Sequence, residues 1–238
     1  MKITLIGYGT MGKEVEAAAL SRAHEIILII DENNSDELDK EIFKHSDVAI
    51  EFTTPGTAYK NIEKCISRGI PVVSGTTGWT DRLAEAQNLA LSKGGCLLYA
   101  SNFSLGVNIM FYLNRKLAEI MNGQDAYNVK LEETHHVRKK DAPSGTAKSL
   151  AEDIIGECKK YESWISGKPV SEKELCIKSV RKGDVPGTHR VEWSSDIDDI
   201  TIEHRAHNRK GFALGAVFAA EFIQKRQGVF TMKDLLGF

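Results

Sequence analysis

Apolar runs and helical spacings alternate through the first hundred residues. Lys2–Ile6 reads as a buried strand, and 11–20 follows with the spacing of a helix. A second strand is expected over Glu25–Ile30, a third over 48–52, a fourth over Val72–Ser74 and a fifth over 96–100. Helical segments near 57–67 and 82–92 lie among the later strands. Strand, helix, strand in that rhythm implies a parallel sheet covered on both faces. The segment 33–45 is polar and acidic, so it reads as a reduced connection rather than a full crossover helix.

The texture changes after Phe103. A helix is expected over Leu105–Met121, then a strand ending near the histidines at 135 and 136, then a helix over 146–161. Residues 162–174 read as a polar loop. Three strand-like runs follow at 175–180, 188–193 and 200–207. The alternation of Ile200, Ile202 and His204 against Thr201, Glu203 and Arg205 suits an open antiparallel or mixed sheet with one solvated face. A last helix at 214–225, rich in Ala and Phe, is expected to pack back onto the first domain.

Composition narrows the function more by exclusion. The 238 residues are 42% hydrophobic and 27% charged with a formal net charge of −2, and acids and bases are interspersed. That balance gives no electrostatic case for nucleic acid. No apolar run approaches the roughly 20 residues that span a bilayer. There is no signal-peptide layout, and the four cysteines form no Cys-x-x-Cys pair. A reduced, cytoplasmic protein with inert thiols is the expectation.

The first chemical motif is Gly7-Tyr8-Gly9-Thr10-Met11-Gly12, directly after the first strand and opening the first helix. Glycines at this spacing permit a tight turn, close approach of backbone to a pyrophosphate and close packing of helix on strand. Asp31 follows about twenty residues on, where a carboxylate accepts hydrogen bonds from an adenosine ribose. Two more loops, Gly75-Thr76-Thr77 and Ala100-Ser101-Asn102-Phe103, follow strand ends. Ligands bind outside the carboxyl ends of strands in open α/β sheets.

The second is the stretch 132–147, EETHHVRKKDAPSGTA. It places His135 and His136 where a strand meets a loop, and Ser144, Gly145 and Thr146 where a helix starts. Imidazole moves protons near neutral pH, and free N–H groups at a helix start favour an anion. Lys139 can neutralise a carboxylate or donate a proton; the clamp is favoured, because an amine beside a dicarboxylate stays protonated. Along a strand, only one of Glu132 and Glu133 can face the histidines.

These residues resemble the dihydrodipicolinate reductase family over essentially the whole chain. The resemblance lies in GYGTMG, SGTTGW at 74–79, SNFSLGVN at 101–108, HHVRKKDAPSGTA at 135–147, and RKGDVPGTH with IEHRAHNRKGFALGA toward the end. It implies a Rossmann-type dinucleotide-binding domain (1–102 and 211–238) plus a smaller α+β domain with an open mixed sheet (103–210) for substrate and oligomerisation. It implies NADH- or NADPH-dependent reduction of 4-hydroxy-tetrahydrodipicolinate to tetrahydrodipicolinate in diaminopimelate–lysine biosynthesis, by a cytoplasmic homotetramer. By motif position His135 corresponds to the proton donor and Lys139 to a second donor. His136, Ser144, Gly145 and Thr146 correspond to substrate contacts, and the 7–12, Asp31, 75–77 and 100–103 residues to cofactor contacts.

One departure concerns the cofactor. NADPH needs a cation for its 2′-phosphate, but Thr10 occupies the loop, Glu32 follows Asp31, and no Lys or Arg comes after them until Lys40. Two carboxylates repel a phosphate dianion, so NADH is expected to be used at least as well; only Lys13 could compensate. No metal is expected: His204 and His207, with His189 nearby, lie three apart on a strand, facing opposite ways, with no Cys or carboxylate completing a set.

Overall fold

The apolar runs of the first hundred residues become strands, each followed by the segment that covers it. The computed structural model describes residues 1–238 in full. In chain order come β1 (Lys2–Ile6), α1 (Thr10–Ser21), β2 (Glu25–Ile30), β3 (Val48–Glu51), α2 (Pro55–Ser67), β4 (Val72–Ser74), α3 (Leu83–Lys93) and β5 (Cys96–Tyr99). Between β2 and β3 the chain makes two short 3₁₀ turns, Ser35–Asp39 and Glu41–His45. Only Leu38 and Phe43 of that segment are buried, which is too little apolar surface to hold a full helix against the sheet.

A second set follows: α4 (Leu105–Met121), β6 (Asn128–His135), α5 (Gly145–Glu157), β7 (Ser163–Ser166), β8 (Glu174–Arg181), β9 (Gly187–Ser194) and β10 (Asp199–Ala206). They form a five-stranded mixed sheet in the order β10-β9-β6-β8-β7. The pairs β10/β9 and β9/β6 are antiparallel, and β6/β8 and β8/β7 are parallel. The polar stretch 162–174 is therefore not wholly a loop. Ser163–Ser166 pairs with β8 as an edge strand, which asks only for backbone partners and not for a buried face.

The chain then closes with α6 (Lys210–Ile223), β11 (Gly228–Phe230) and α7 (Met232–Leu236). β11 adds a sixth strand to the parallel sheet, whose order is β11-β5-β4-β3-β1-β2. Small residues on α6 (Ala213, Ala216, Ala219, Ala220) bury completely with Ile3, Val48, Ile50, Val73 and Leu98 on one face of this sheet. The other face carries Ile6, Ile30, Ala49, Val72 and Leu97 beneath α2 and α3. By contact the chain divides into two units, Met1–Leu105 with Lys210–Phe238, and Gly106–Arg209. The second has its own core, in which α4 and α5 pack on Val129, Leu131, Leu175, Ile177, Val191 and Trp193.

Candidate active site

The first unit gathers one set of site residues at the carboxyl end of its parallel sheet. Gly7 has φ +95°, and a Cβ there would stand 1.9 Å from the Phe52 carbonyl oxygen. A Cβ on Gly12 would stand 2.2 Å from the Gly7 oxygen, and one on Gly75 would lie 2.1 Å from the Phe52 ring. These glycines let the loops pack tightly on Phe52 and on one another, while a Cβ on Gly9 would meet nothing within 4 Å. α1 starts at Gly9 without a side-chain cap and without an acidic residue in its first turn, so its dipole is uncompensated. Tyr8 donates its hydroxyl to Glu16, and Lys13 lies 5.8 Å from the Tyr8 ring centroid.

Asp31 is exposed and fixed in a turn. Its Oδ1 accepts the Asn33 N–H at 2.7 Å, while Asn34 Oδ1 accepts the Asp31 N–H at 2.7 Å. Lys40 is engaged by Asp36 at 3.3 Å and Glu37 at 3.6 Å. Thr76 is buried; its Oγ1 accepts the Thr53 N–H at 2.7 Å and donates to Glu51 at 2.8 Å. Glu51, fully buried, also receives the hydroxyls of Ser74 at 2.6 Å and of Thr53. Burial raises its carboxyl pKa despite these bonds. In the last loop Ser101 is exposed, Asn102 accepts the Ser104 N–H at 2.9 Å, and Phe103 is buried against Phe52. Phe103 thus belongs to the core and offers a ligand only its backbone.

The second unit builds its site by a change of chemistry along one buried face. On β6 the inward positions are Val129, Leu131, Glu133 and His135. On β9 they are Trp193, Val191, His189 and Gly187, and on β8 Leu175 and Ile177 give way to Ser179 and Arg181. The register aligns the switch: Leu131 faces Val191 and Ile177, then Glu133 faces His189 and Ser179, then His135 faces Arg181. Three strands leave the core at the same level.

Glu133 is fully buried and meets His135 Nδ1 through Oε2, while Arg181 Nη2 donates to its Oε1 at 2.9 Å. Burial alone would raise this carboxyl; the bonds from His135 and Arg181 outweigh it and hold the pKa at about 2. Arg181 also donates to the Asp141 carbonyl at 2.7 Å. The His189 ring stands edge-on to His135 at 5.1 Å, and its Nε2 lies 3.2 Å from Ser144 Oγ. Burial, helped by repulsion from His135, pushes the His189 pKa down to about 3, so it is neutral. A Cβ on Gly187 would approach His135 Nε2 to 3.0 Å; the glycine keeps that nitrogen uncovered.

Ser144 caps α5, accepting the Ala147 N–H at 3.2 Å, and Gly145 and Thr146 form the first turn. The loop before it is tied down by the Lys182 N–H to the His135 carbonyl at 2.8 Å and the Val137 N–H to the Gly183 carbonyl at 3.1 Å. Lys139 pairs with Asp141 at 2.8 Å. Desolvation, then the charges of Arg138 and Arg209, lowers the His136 pKa. His135, Ser144 and the α5 start are therefore close together, with His136 and Lys139 on the adjoining loop. Sequence reasoning put one of Glu132 and Glu133 toward the histidines without deciding which, and gave His189 and Arg181 no part in the site. Extending the Val129–Leu131 alternation by one step selects Glu133 over Glu132, which pairs outward with Lys178 at 2.7 Å. No group of three His, Cys, Asp or Glu side chains is placed to hold a metal ion.

Two family models match the chain: dihydrodipicolinate reductase, N-terminus, over residues 1–103, and dihydrodipicolinate reductase, C-terminus, over 106–236. The 4-hydroxy-tetrahydrodipicolinate reductase of Christiangramia forsetii is 48% identical over 99% of this chain and 98% of that protein. Its counterpart in Neisseria meningitidis serogroup B is 35% identical over 85% of this chain and 77% of that one. Among solved structures, a dipicolinate-bound dihydrodipicolinate reductase from Paenisporosarcina sp. TG-14 superposes with a TM-score of 0.78 at 22% identity, covering 97% of each chain. An amine dehydrogenase from Mycobacterium smegmatis, at 10% identity with a TM-score of 0.59 over 97% of this chain and 94% of that one, shares the fold alone.

Proposed function

This chain belongs to the dihydrodipicolinate reductase family, and we propose from that premise how its two units share the work. The reaction is the NAD(P)H-dependent reduction of 4-hydroxy-tetrahydrodipicolinate in diaminopimelate–lysine biosynthesis. A bound nicotinamide supplies hydride. In our reading the first unit holds the dinucleotide through residues 7–12, Asp31, 75–77 and 100–103; the uncapped, acid-free start of α1 at Gly9, where a Cβ would meet nothing within 4 Å, supports this. The second unit holds the dicarboxylate and provides the proton.

The observation that carries the second half is the inward row Val129–Leu131–Glu133–His135, which delivers an imidazole to the end of a buried face beside a helix start. The 4-hydroxyl leaves as water, hydride adds to the resulting conjugated imine, and His135 protonates the atom next to the carbon that takes the hydride. The N–H groups of Gly145 and Thr146, at the positive end of α5, seat a carboxylate. The Ser144 hydroxyl is already engaged as cap and by His189, so its part is to shape that turn. Lys139 exchanges Asp141 for a substrate carboxylate and acts as a clamp, with His136 beside it.

Following NADH absorbance in variants tests this division. His135→Gln lowers kcat by about 100-fold or more, while Lys139→Ala raises the KM for the dicarboxylate far more than it lowers kcat. Unchanged turnover in both defeats the assignment. For the cofactor, NADH is used at least as well as NADPH, since Asp31 and Glu32 are exposed and Lys40 is committed to Asp36 and Glu37. A tenfold lower KM for NADPH would overturn that. We read the uncovered, charge-lined face of the second sheet as the surface of a cytoplasmic homotetramer, in keeping with the resemblance.

A further inference from the structure

We infer that Glu133 is the positioning residue for His135 and Arg181 its counter-cation, the three together directing Nδ1–H to the carboxylate and leaving Nε2 as the atom that transfers the proton. The inference rests on the reading of His135 as proton carrier and adds what that reading lacks, namely which nitrogen works and what holds it. No residue other than these three is required by it.

A carboxylate with no solvent exposure must have every charge-stabilising partner inside the protein. Glu133 has a charged or chargeable partner on each oxygen, His135 Nδ1 on Oε2 and Arg181 Nη2 on Oε1, with the Ser144 N–H at 3.4 Å as a further donor to Oε1. An ionised carboxylate only accepts, so the imidazole nitrogen facing it must carry a hydrogen. The other nitrogen is then fixed as the exchanging one. Gly187 leaves it uncovered. Arg181 is itself held by the Asp141 carbonyl, so the cation cannot swing toward the ring.

Glu133→Gln removes an anion beside the ring and Arg181→Met removes a cation, so the two substitutions push the ring's proton affinity in opposite directions. The other charged or titratable groups around the ring are His136, Lys139 and Asp141 on the following loop, Lys182 after β8, His189 on β9 and His204 on β10. Lys139 and Asp141 neutralise each other at 2.8 Å. His189 stays neutral, with its pKa at about 3, and burial lowers that of His204. The charge balance at His135 is thus set by one anion and one cation on neighbouring strands.

A purely structural ion pair would make the same contacts, so the experiment reads tautomer and pH profile. Nitrogen-15 NMR of the imidazoles is compared in the full-length protein, Glu133→Gln and Arg181→Met, alongside kcat against pH and the KM for NADH. In the unmodified protein His135 carries its hydrogen on Nδ1. In Glu133→Gln the carboxamide can donate to Nδ1, the hydrogen moves to Nε2, and kcat falls by about 10- to 100-fold with the KM for NADH unchanged. The limb of the kcat profile that reports the proton donor moves to lower pH in Glu133→Gln and to higher pH in Arg181→Met.

Retention of the Nδ1–H tautomer in Glu133→Gln, or movement of both limbs in one direction, overturns the inference. Should Glu133→Gln not fold, Arg181→Met decides alone, and an unchanged or lowered limb overturns it. Full activity in His135→Gln would remove the proton-carrier reading, while the tautomer measurement would still decide whether Glu133 positions the ring.

Discussion

Each unit buries one carboxylate completely, and the two are treated in opposite ways. Glu51, at the end of β3, is surrounded by neutral donors: the hydroxyls of Ser74, Thr76 and Thr53 and one backbone N–H. Burial wins there and raises its pKa. Glu133, near the end of β6, has a guanidinium and an imidazole instead, and despite burial its pKa falls to about 2. Both side chains are closed to solvent, and the charge of their partners sets them apart. Neutral donors make Glu51 a knot that ties the loops after β3 and β4 together. Charged partners make Glu133 the centre of an ionic network that joins β6 to β8.

Breaking that contrast begins with its strong side. Glu133→Ala leaves Arg181 with no anion, only the carbonyls of Asp141 and Val180, and should destabilise the protein by about 3 kcal/mol in denaturant unfolding. A loss under about 1 kcal/mol would mean that the pair does not differ from Glu51 in kind. Acid comes next. The Glu133 carboxyl, lowered in the folded state, contributes stability that is complete above the ordinary carboxyl pKa and is lost as pH falls through about 2. His189, also lowered, contributes stability present above the ordinary imidazole pKa of 6.5 and lost as pH falls toward about 3. Thermal unfolding should therefore weaken from pH 6.5 downward by up to about 1.4 kcal/mol per pH unit, and His189→Gln should flatten the slope. A slope unchanged in that variant refutes the assignment.

The weakest effect should be at Glu51. Its raised pKa gives the reverse sign: that contribution is present at low pH and lost as pH rises through the folded value. Glu51→Gln keeps an acceptor and faces hydroxyls that can turn, so the cost should be about 1 kcal/mol or less. A loss as large as that of Glu133→Ala would erase the distinction between the two units.

The sequence was legible where periodicity and local motif agree. The Gly7–Gly12 loop follows a strand and opens a helix, and the alternation Val129, Leu131 sets the inward face of β6. Less legible were elements whose reason lies elsewhere in the chain. β7 and β11 have four and three residues, too few for a period, and exist because β8 and β5 offer open edges. Arg181 reaches Glu133 from another strand, through a register that no local pattern encodes. Thr76 and Phe103 sit in loops where small or apolar residues suggested ligand contact, yet one is locked to Glu51 and the other fills the core. Loop position alone does not say which way a side chain turns.

The parallel sheet also has a history written into its connectivity. β1 to β5 leave the ribosome first, but α6, which covers Ile3, Val48, Ile50 and Val73, follows only after the whole of Gly106–Arg209 has been made. During synthesis that face of the sheet has only α1, through Val15 and Ala19, to lie under, while the second unit already has all its parts. The unit whose motif stands first in the chain is thus the last to be completed, and any nascent-chain guardian would have this face to shield.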